Sequence, residues 1–442
     1  MKVPERPPFI SNDYNYRNIL DELIKASKFN EFFEVNDNKY PYWVKWKYLA
    51  KDWGIEEKKL WSAVKSARLG SKRLHFSRID GFAFKMAAPS VIQNFLHEFD
   101  LNLGGSLQGD SIIPAEDKDR YLISSLMEEA IASSQLEGAA TTRKIAKEML
   151  ETDRKPRNAS EQMILNNYEA MKWIVDNKNT AFTQEAICKI HSIITSNTLS
   201  QRDEEGAFRK DNEVRVVDVQ TGNTIYTPPG YDQLNTLMED FCKFANDQDK
   251  QTFFIHPILK GIFLHFLIGY IHPFADGNGR TARTIFYWYL LKKGYWLIEY
   301  MSVSRVILGS KAQYAKAYLY TELDDNDLTY FLIYNLKCIS TALEDLKKYI
   351  LRKTAEKKNV VTLLRHTNFN DRQIVILQEI IQHSDIYFSV KQIQNRFAIS
   401  NQTARNDLGR LVESGLIEYR KSGNKKQFFP VKDFYDRIKK GV

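Results

Sequence analysis

Seven apolar residues, Leu328, Leu332, Leu336, Ile339, Leu343, Leu346 and Ile350, recur at spacings of three and four. That period describes one stripe of an α-helix and no β-strand, so this part of the chain must pack helix on helix. Similar patterning predicts helices over about 118–136, 142–150, 160–177, 183–198, 231–246, 258–271 and 282–293. The expected fold is therefore mainly α. One segment departs from it. Val214, Val216, Val217 and Val219, the turn signal Thr221-Gly222-Asn223, then Thr224-Ile225-Tyr226 before Pro228-Pro229-Gly230, read as a β-hairpin. Residues 1–100 read as a helical N-terminal region with aromatic clusters such as Tyr40-Pro41-Tyr42-Trp43, and no chemistry is visible there.

At 442 residues the chain favours two to four domains, and 43% hydrophobic residues suffice for packed cores, which excludes disorder. Three scattered cysteines (Cys188, Cys242, Cys338) exclude a zinc ribbon, a redox pair or a disulfide framework and suit a reducing interior. The opening residues lack a secretory apolar region, and the most apolar stretch, Gly261–Ile271, is far shorter than the roughly 18 residues of a membrane span. A cytoplasmic protein without a membrane partner is the expectation.

The net charge of +8 is uneven. From Val361 to Val442 there are 14 Lys/Arg against 8 Asp/Glu, or +6. Within that tail, Asn370-Asp371 starts a helix, Val390–Phe397 forms a second, and Ser400-Asn401 leads into a third over 402–414. Strands 416–420 and 427–430 then flank Ser422-Gly423-Asn424, which is the layout of a winged helix-turn-helix. If it binds DNA, Gln402, Thr403, Arg405, Asn406 and Arg410 would read bases, with Lys421, Lys425 and Lys426 on phosphates. The alternative for this module is docking to another protein, or homodimerisation. The expected domains are 1–100, a core at 101–350, a polar linker at 351–369 and the winged helix at 370–442. Gly104 and Gly109 have phosphate-loop spacing, but Asp110-Ser111 follows where Lys-Ser/Thr is needed, so that stretch reads as a glycine-rich connection.

Chemistry concentrates in His272-Pro273-Phe274-Ala275-Asp276-Gly277-Asn278-Gly279-Arg280-Thr281-Ala282-Arg283, between an apolar helix and the start of another. Gly277 and Gly279 let backbone N–H groups approach an anion at a helix N-terminus. Arg280 and Arg283, three apart on one helical face, can reach one polyphosphate. Asp276 offers a hard oxygen suited to Mg²⁺ on phosphates, and His272 can act as a general base. A tight turn before a helix would explain the glycines, but not the histidine or the second arginine.

The string resembles the signature of the Fic (filamentation-induced-by-cAMP) family, as do His256-Pro257, Gly206-x-Phe208-Arg209 and Tyr226-x-Pro228-Pro229 around it. The resemblance spans roughly 101–322. It implies transfer of AMP from ATP to a Tyr, Thr or Ser hydroxyl of a protein target, with the chain itself one candidate. His272 would take the hydroxyl proton, and Asp276 would hold Mg²⁺. Asn278 and the Gly277 and Gly279 amides would bind phosphate oxygens. Arg280 would steady the pyrophosphate, Arg283 the γ-phosphate, and Phe274 would anchor the loop. Relatives often carry Asn before a basic residue near the adenine, whereas this chain reads Leu308-Gly309-Ser310-Lys311, with Tyr314 as a candidate adenine wall.

Ser133-x-x-x-Glu137-Gly138 ends a predicted helix, where a carboxylate opposes the macrodipole. Glu137 is either an ordinary exposed residue or, as the pattern resembles the inhibitory helix of autoinhibited Fic proteins (here about 118–137), a brake that pairs with Arg283. The hairpin with Val214, Val216, Thr224 and Tyr226 resembles the family's flap and could register a target segment by strand addition. Two other readings stand beside the transferase. One is a nucleotide-sensing, DNA-binding transcription regulator. The other is a Fic enzyme that removes AMP or transfers another phosphate-containing group.

Overall fold

The computed structural model describes residues 3–9, 16–77, 79–104, 118–217, 222, 224–248, 253–364, 368–382, 386–422 and 425–439. Val219, Thr221, Asn223, the 109–114 stretch and the wing tip at 423–424 lie outside the described residues. The packing divides the chain into two compact units, Met1–Leu107 with Leu122–Leu343, and Gln108–Tyr121 with Glu344–Val442.

The first unit opens with α1 (Tyr16–Lys25), α2 (Phe29–Asn38), α3 (Trp43–Trp53) and α4 (Glu57–Ala67). An antiparallel hairpin follows, β1 (Lys72–His75) on β2 (Ala83–Met86), in the register Lys72↔Met86 to His75↔Ala83, and then α5 (Ser90–Leu103). This hairpin corrects the all-helical expectation for residues 1–100. Leu74, Phe76, Phe82, Phe84 and Met86 are all buried, an alternation of period two that marks a strand pair. The N-terminal helices also share a compact unit with the core instead of forming a separate domain.

The core continues with α6 (Lys118–Leu136), α7 (Arg143–Glu151), α8 (Ala159–Asp176) and α9 (Gln184–Thr195). The short pair β3 (Val216–Val217) and β4 (Thr224–Tyr226) comes next, then α10 (Leu234–Ala245), α11 (Pro257–Ile271) and α12 (Asn278–Lys292). Polar side chains set several helix starts: Thr142, Asn158 and Thr183 each accept a first-turn N–H, and His256 does so ahead of Pro257. α11 is apolar all round and accordingly buried on nearly every side, packed against α12. After α13 (Val303–Leu308) and α14 (Lys311–Leu323), α15 runs from Thr329 to Leu364. It passes straight through the polar stretch expected to be a linker. Arg352–Asn359 contains Lys, Ala, Glu and Arg and no Gly or Pro, so its composition favours a continuing helix and not a break.

The second unit holds the winged helix. It contains α16 (Asp371–Gln382), β5 (Phe388–Ser389), α17 (Val390–Phe397), α18 (Asn401–Glu413), β6 (Ile417–Ser422), β7 (Lys425–Pro430) and α19 (Phe434–Lys439). The sheet order is β5-β7-β6, all antiparallel. Ile376, Ile380, Ile393, Leu408, Leu411 and Phe428 form its core, while Ser389 with Gln392 makes a capping box and Ser400 caps α18. Among the described residues no helix is long and apolar enough to cross a membrane.

Candidate active site

α11 ends at Ile271, and His272 caps it in the left-handed region at φ 51° and ψ 58°. A β-carbon makes that conformation unfavourable by roughly 1–2 kcal/mol, so something must hold it. The His272 N–H donates to Ile268 O at 2.9 Å, and its carbonyl accepts from Arg209 Nε at 2.9 Å. Arg209 also bonds the carbonyls of Asp211 and Pro229, and its own N–H donates to Pro273 O at 2.9 Å. The imidazole is oriented as firmly. Nδ1 lies 3.0 Å from Gly269 O, which can only accept, so Nδ1 carries the proton and Nε2 keeps its lone pair. Burial holds the pKa below the usual histidine range, which keeps the ring neutral.

The loop after His272 is anchored from beneath. Phe274 is fully buried and stacks on His191, centroids 3.7 Å apart and planes 3° from parallel, as its reading as an anchor requires. His191 Nε2 donates to Asp276 O at 2.9 Å, and its Nδ1 accepts from Gly206 N at 3.0 Å. Burial lowers its pKa to about 4, so this neutral tautomer persists. No sequence argument singled out His191. Its only signal was a histidine on the apolar face set by Ile187, Ile190 and Ile194. Asn278 departs from expectation. Its side-chain nitrogen donates to Phe274 O at 2.8 Å and its oxygen accepts from Phe274 N at 3.0 Å, so the side chain braces the loop and only its backbone N–H faces an anion.

Gly277 precedes α12 as its N-cap at φ 78°, where a β-carbon would also sit 2.9 Å from Thr195 Cγ2. The amides of Asn278, Gly279 and Arg280 lie in the first turn and lack an intrahelical acceptor. Asp276 is 67% exposed, with Oδ1 accepting from Gly277 N at 2.5 Å and Oδ2 3.9 Å from Arg280 Nη2. Arg280 is buried, bonded through Nη1 to Ile194 O at 3.0 Å, and its Nε has no partner. An orphaned guanidinium nitrogen beside free helix amides is a place for an anion.

That place already holds a carboxylate. Glu137 Oε1 lies 2.8 Å from Arg283 Nη2, and it sits so close to Gly279 that a β-carbon there would be 2.1 Å away. Arg283 is 3% exposed and also donates through Nε to Ser133 Oγ and through Nη2 to Ser133 O, both at 2.9 Å. Burial opposes its charge, but Glu137, Tyr314 and Glu129 together outweigh that and its pKa is raised. Gly138 follows at φ 96° and lets the chain leave α6. Two turns upstream, the buried Glu129 accepts from Tyr287 OH (2.8 Å), Ser302 Oγ (3.0 Å), Ser304 N (3.0 Å) and Ser304 Oγ. Burial raises its pKa. Lys311 Nζ reaches Gln135 O at 3.1 Å, so both α6's middle and its last turn are tied to the α13–α14 region.

In the hairpin, Val216 pairs with Tyr226 and Val217 with Thr224, and Val214 lies just before β3. Tyr226 donates to Tyr270 O at 2.9 Å, which fastens the hairpin to the end of α11. Tyr314 differs from its reading as an adenine wall. Its ring packs in an aromatic cluster with Tyr318, Phe331 and Tyr334, and its hydroxyl meets His265 Nε2 at 2.7 Å. In α18, Gln402, Arg405 and Asn406 are exposed. Gln402 donates to Asn406 Oδ1 at 2.9 Å and Arg405 to Asn401 Oδ1 at 2.8 Å along the helix, Thr403 is bound to Ser400 at the cap, and the exposed Arg410 donates across to Asn368 O.

Residues 181–290 match the Fic/DOC family, and residues 372–423 match the DeoR-like helix-turn-helix domain. The chain carries a Fic domain. The segment with Ser133 and Glu137 lies outside the matched residues, so its contact with the Fic motif is a finding of the geometry alone. Among curated relatives, the protein adenylyltransferase Fic of Aedes aegypti is 29% identical over 46% of this chain and 36% of its own length. That of Culex quinquefasciatus is 34% identical over 28% of this chain and 23% of its own length. The chain thus spans about a third or less of the length of these two relatives. A solved Fic family protein from Desulfovibrio desulfuricans G20 shares the fold of the Fic domain and its surroundings. It has a TM-score of 0.50 and 17% identity, covering 78% of this chain and 97% of that one.

Proposed function

We propose that this chain is a protein adenylyltransferase that moves AMP from ATP to a hydroxyl of a protein target and is held off by its own Glu137. The observation that carries the reading is His272, a neutral imidazole whose Nε2 lone pair is left free by the Nδ1–H bond to Gly269 O. Nucleotide binding alone needs no such base. The adenylyltransferase relatives support the same reaction.

In the reaction, His272 Nε2 accepts the proton of the incoming hydroxyl as its oxygen bonds to the α-phosphorus. The bond from that phosphorus to the α,β-bridging oxygen breaks, and pyrophosphate leaves. The first-turn amides of α12 and Arg280 Nε would stabilise the phosphate charge, and Arg283 would hold the γ-phosphate once Glu137 lets go. Asp276 is the residue that would hold Mg²⁺. Its exposed carboxylate at the edge of the anion site fits an ion that takes one carboxylate and otherwise phosphate and water oxygens. Such an ion would supply charge neutralisation to the nucleotide's phosphates. ATP as donor and three unpaired cysteines suit the cytoplasm.

A second reading, a nucleotide-sensing DNA-binding regulator, draws on the DeoR-like match and the exposed polar face of α18. Incubating the protein and a lysate with ATP and Mg²⁺, then searching by mass spectrometry for AMP-modified residues, separates the two. Adducts that vanish with His272→Ala support the transferase. No adduct from wild type or from Glu137→Gly would overturn it, and an adduct of another mass would assign a different phosphate transfer.

A further inference from the structure

Where the Lys39–Tyr42 segment meets α13, α14 and α15, a cleft of about 570 Å³ opens within the first unit. That is the size range of small-molecule sites. The charged residues lining it are Lys39, Lys316 and Lys337, with no carboxylate among them. None of the three ammonium groups takes part in an ion pair or hydrogen bond among the described residues. Three unpaired lysines around one hollow give it a positive potential that favours an anion.

The walls are tyrosine rings held in advance. Tyr42 stacks on Tyr320 with centroids 3.9 Å apart and planes 13° from parallel. Behind them, Tyr40 donates to Asp327 at 2.8 Å and Tyr330 to Asp324 at 2.9 Å, and the Arg68 guanidinium lies 3.6 Å over the Tyr40 ring. Asp324 is paired with Lys65 at 2.7 Å, Asp327 lies in the field of the buried Arg68, which donates to Tyr330 OH, and neither carboxylate lines the cleft. At the other end Tyr334 OH meets Ser310 Oγ at 2.8 Å. Rigid aromatic faces and fixed polar tips are what a preorganised site requires.

We propose that this cleft is a second ligand site, separate from His272, for a small molecule with a planar ring and a phosphate group, of nucleoside-monophosphate size. A ring finds stacking partners in the half-buried Tyr320 and Tyr334, and a phosphate dianion finds point charges in the lysines. A neutral ring would leave the cations unmatched, and a ringless anion would leave the aromatic walls unused. Ser310 immediately precedes Lys311, whose ammonium holds Gln135 O in the last turn of α6, so an occupant bears on the turn that carries Glu137. The site itself stands whether or not the Fic domain transfers AMP.

The test is calorimetric titration of the full chain with AMP, GMP and UMP, each to about 1 mM. Three variants accompany wild type: Lys316→Glu/Lys337→Glu, Tyr320→Ala and Arg280→Ala. At least one nucleotide should bind wild type, weaken about tenfold or more in the lysine pair, and bind Arg280→Ala unchanged, since Arg280 belongs to the phosphate site at the start of α12. Neither ammonium of the lysine pair is bonded among the described residues, so that pair should melt as wild type does and decides the matter even if Tyr320→Ala or Arg280→Ala fails to fold. Absence of binding by all three nucleotides, equal binding by the lysine pair, or loss of binding in a folded Arg280→Ala would each overturn the proposal.

Discussion

Glu137 Oε1 stands 2.8 Å from Arg283 Nη2, directly over the backbone of Gly279 at the start of α12. One carboxylate therefore neutralises the buried arginine and covers the amides that a phosphate would use.

Glu137→Gly should raise AMP transfer markedly over a nearly silent wild type, read as incorporation from labelled ATP. Losing the partner should also lower stability by about 1–3 kcal/mol. This is less than the 3–5 of a fully buried pair, because Glu137 is one-third exposed and Arg283 keeps Ser133. Added ATP should restore that loss. Arg283→Ala and the double variant should both stay poorly active, a non-additive outcome expected of directly coupled residues. Equal labelling by wild type and Glu137→Gly would remove the brake from the account.

His272→Ala, made in the Glu137→Gly background, should cut transfer by roughly 10²–10⁴ with nucleotide affinity nearly unchanged. Because burial holds the His272 pKa below about 6.5, its base form predominates through neutrality. Rate against pH should be flat above that value and fall only on further acidification. A rate still climbing between pH 7 and 8 would contradict the assignment.

His191 and His265 are buried neutral, with pKa values lowered to about 4 and about 3. Both take up a proton on unfolding once the pH drops below about 6.5, so the stability they contribute is present above that pH. It is lost progressively as pH falls toward those folded values, by about 1.4 kcal/mol per pH unit for each. Denaturant titrations from pH 7 to pH 5 should show the decline, and His265→Gln should make it shallower by one proton.

Glu129→Ala should destabilise by at least about 3 kcal/mol, since Tyr287 OH, Ser302 Oγ and Ser304 N would lose their shared acceptor. A melting temperature equal to wild type would show that α6 is held by other contacts.

The exposed face of α18 should bind DNA if the winged helix reads bases. Arg405→Ala should weaken binding, and affinity should fall steeply with salt. The same change at Arg410 should act mainly on stability, because its guanidinium is turned to Asn368 O. No shift with any duplex at low salt would favour a docking role.

The catalytic loop was legible because its chemistry is local: histidine, glycines and arginines fall within twelve residues, and the helix period placed them between two buried helices. What escaped was relational. His191 looked like any core residue of α9, and its task appears only when Phe274 stacks on it from 83 positions away. The family resemblance implies a phosphate contact for Asn278, and nothing in the sequence shows that Phe274's backbone takes both ends of its amide. The β1–β2 hairpin was readable in alternating Leu74, Phe76, Phe82, Phe84 and Met86, but short strands amid helices give little contrast. Arg352–Asn359 misled in the opposite way, since charge was taken for a break in what is a continuous helix.

Gly279 leaves just enough room for a carboxylate oxygen, and the carboxylate that fills it belongs to the same chain. A competitor on a tether has a fixed effective concentration, which neither dilution nor higher expression can change. The balance at this site therefore follows the supply of nucleotide and whatever displaces the last turn of α6, and it is indifferent to how many copies of the protein are present.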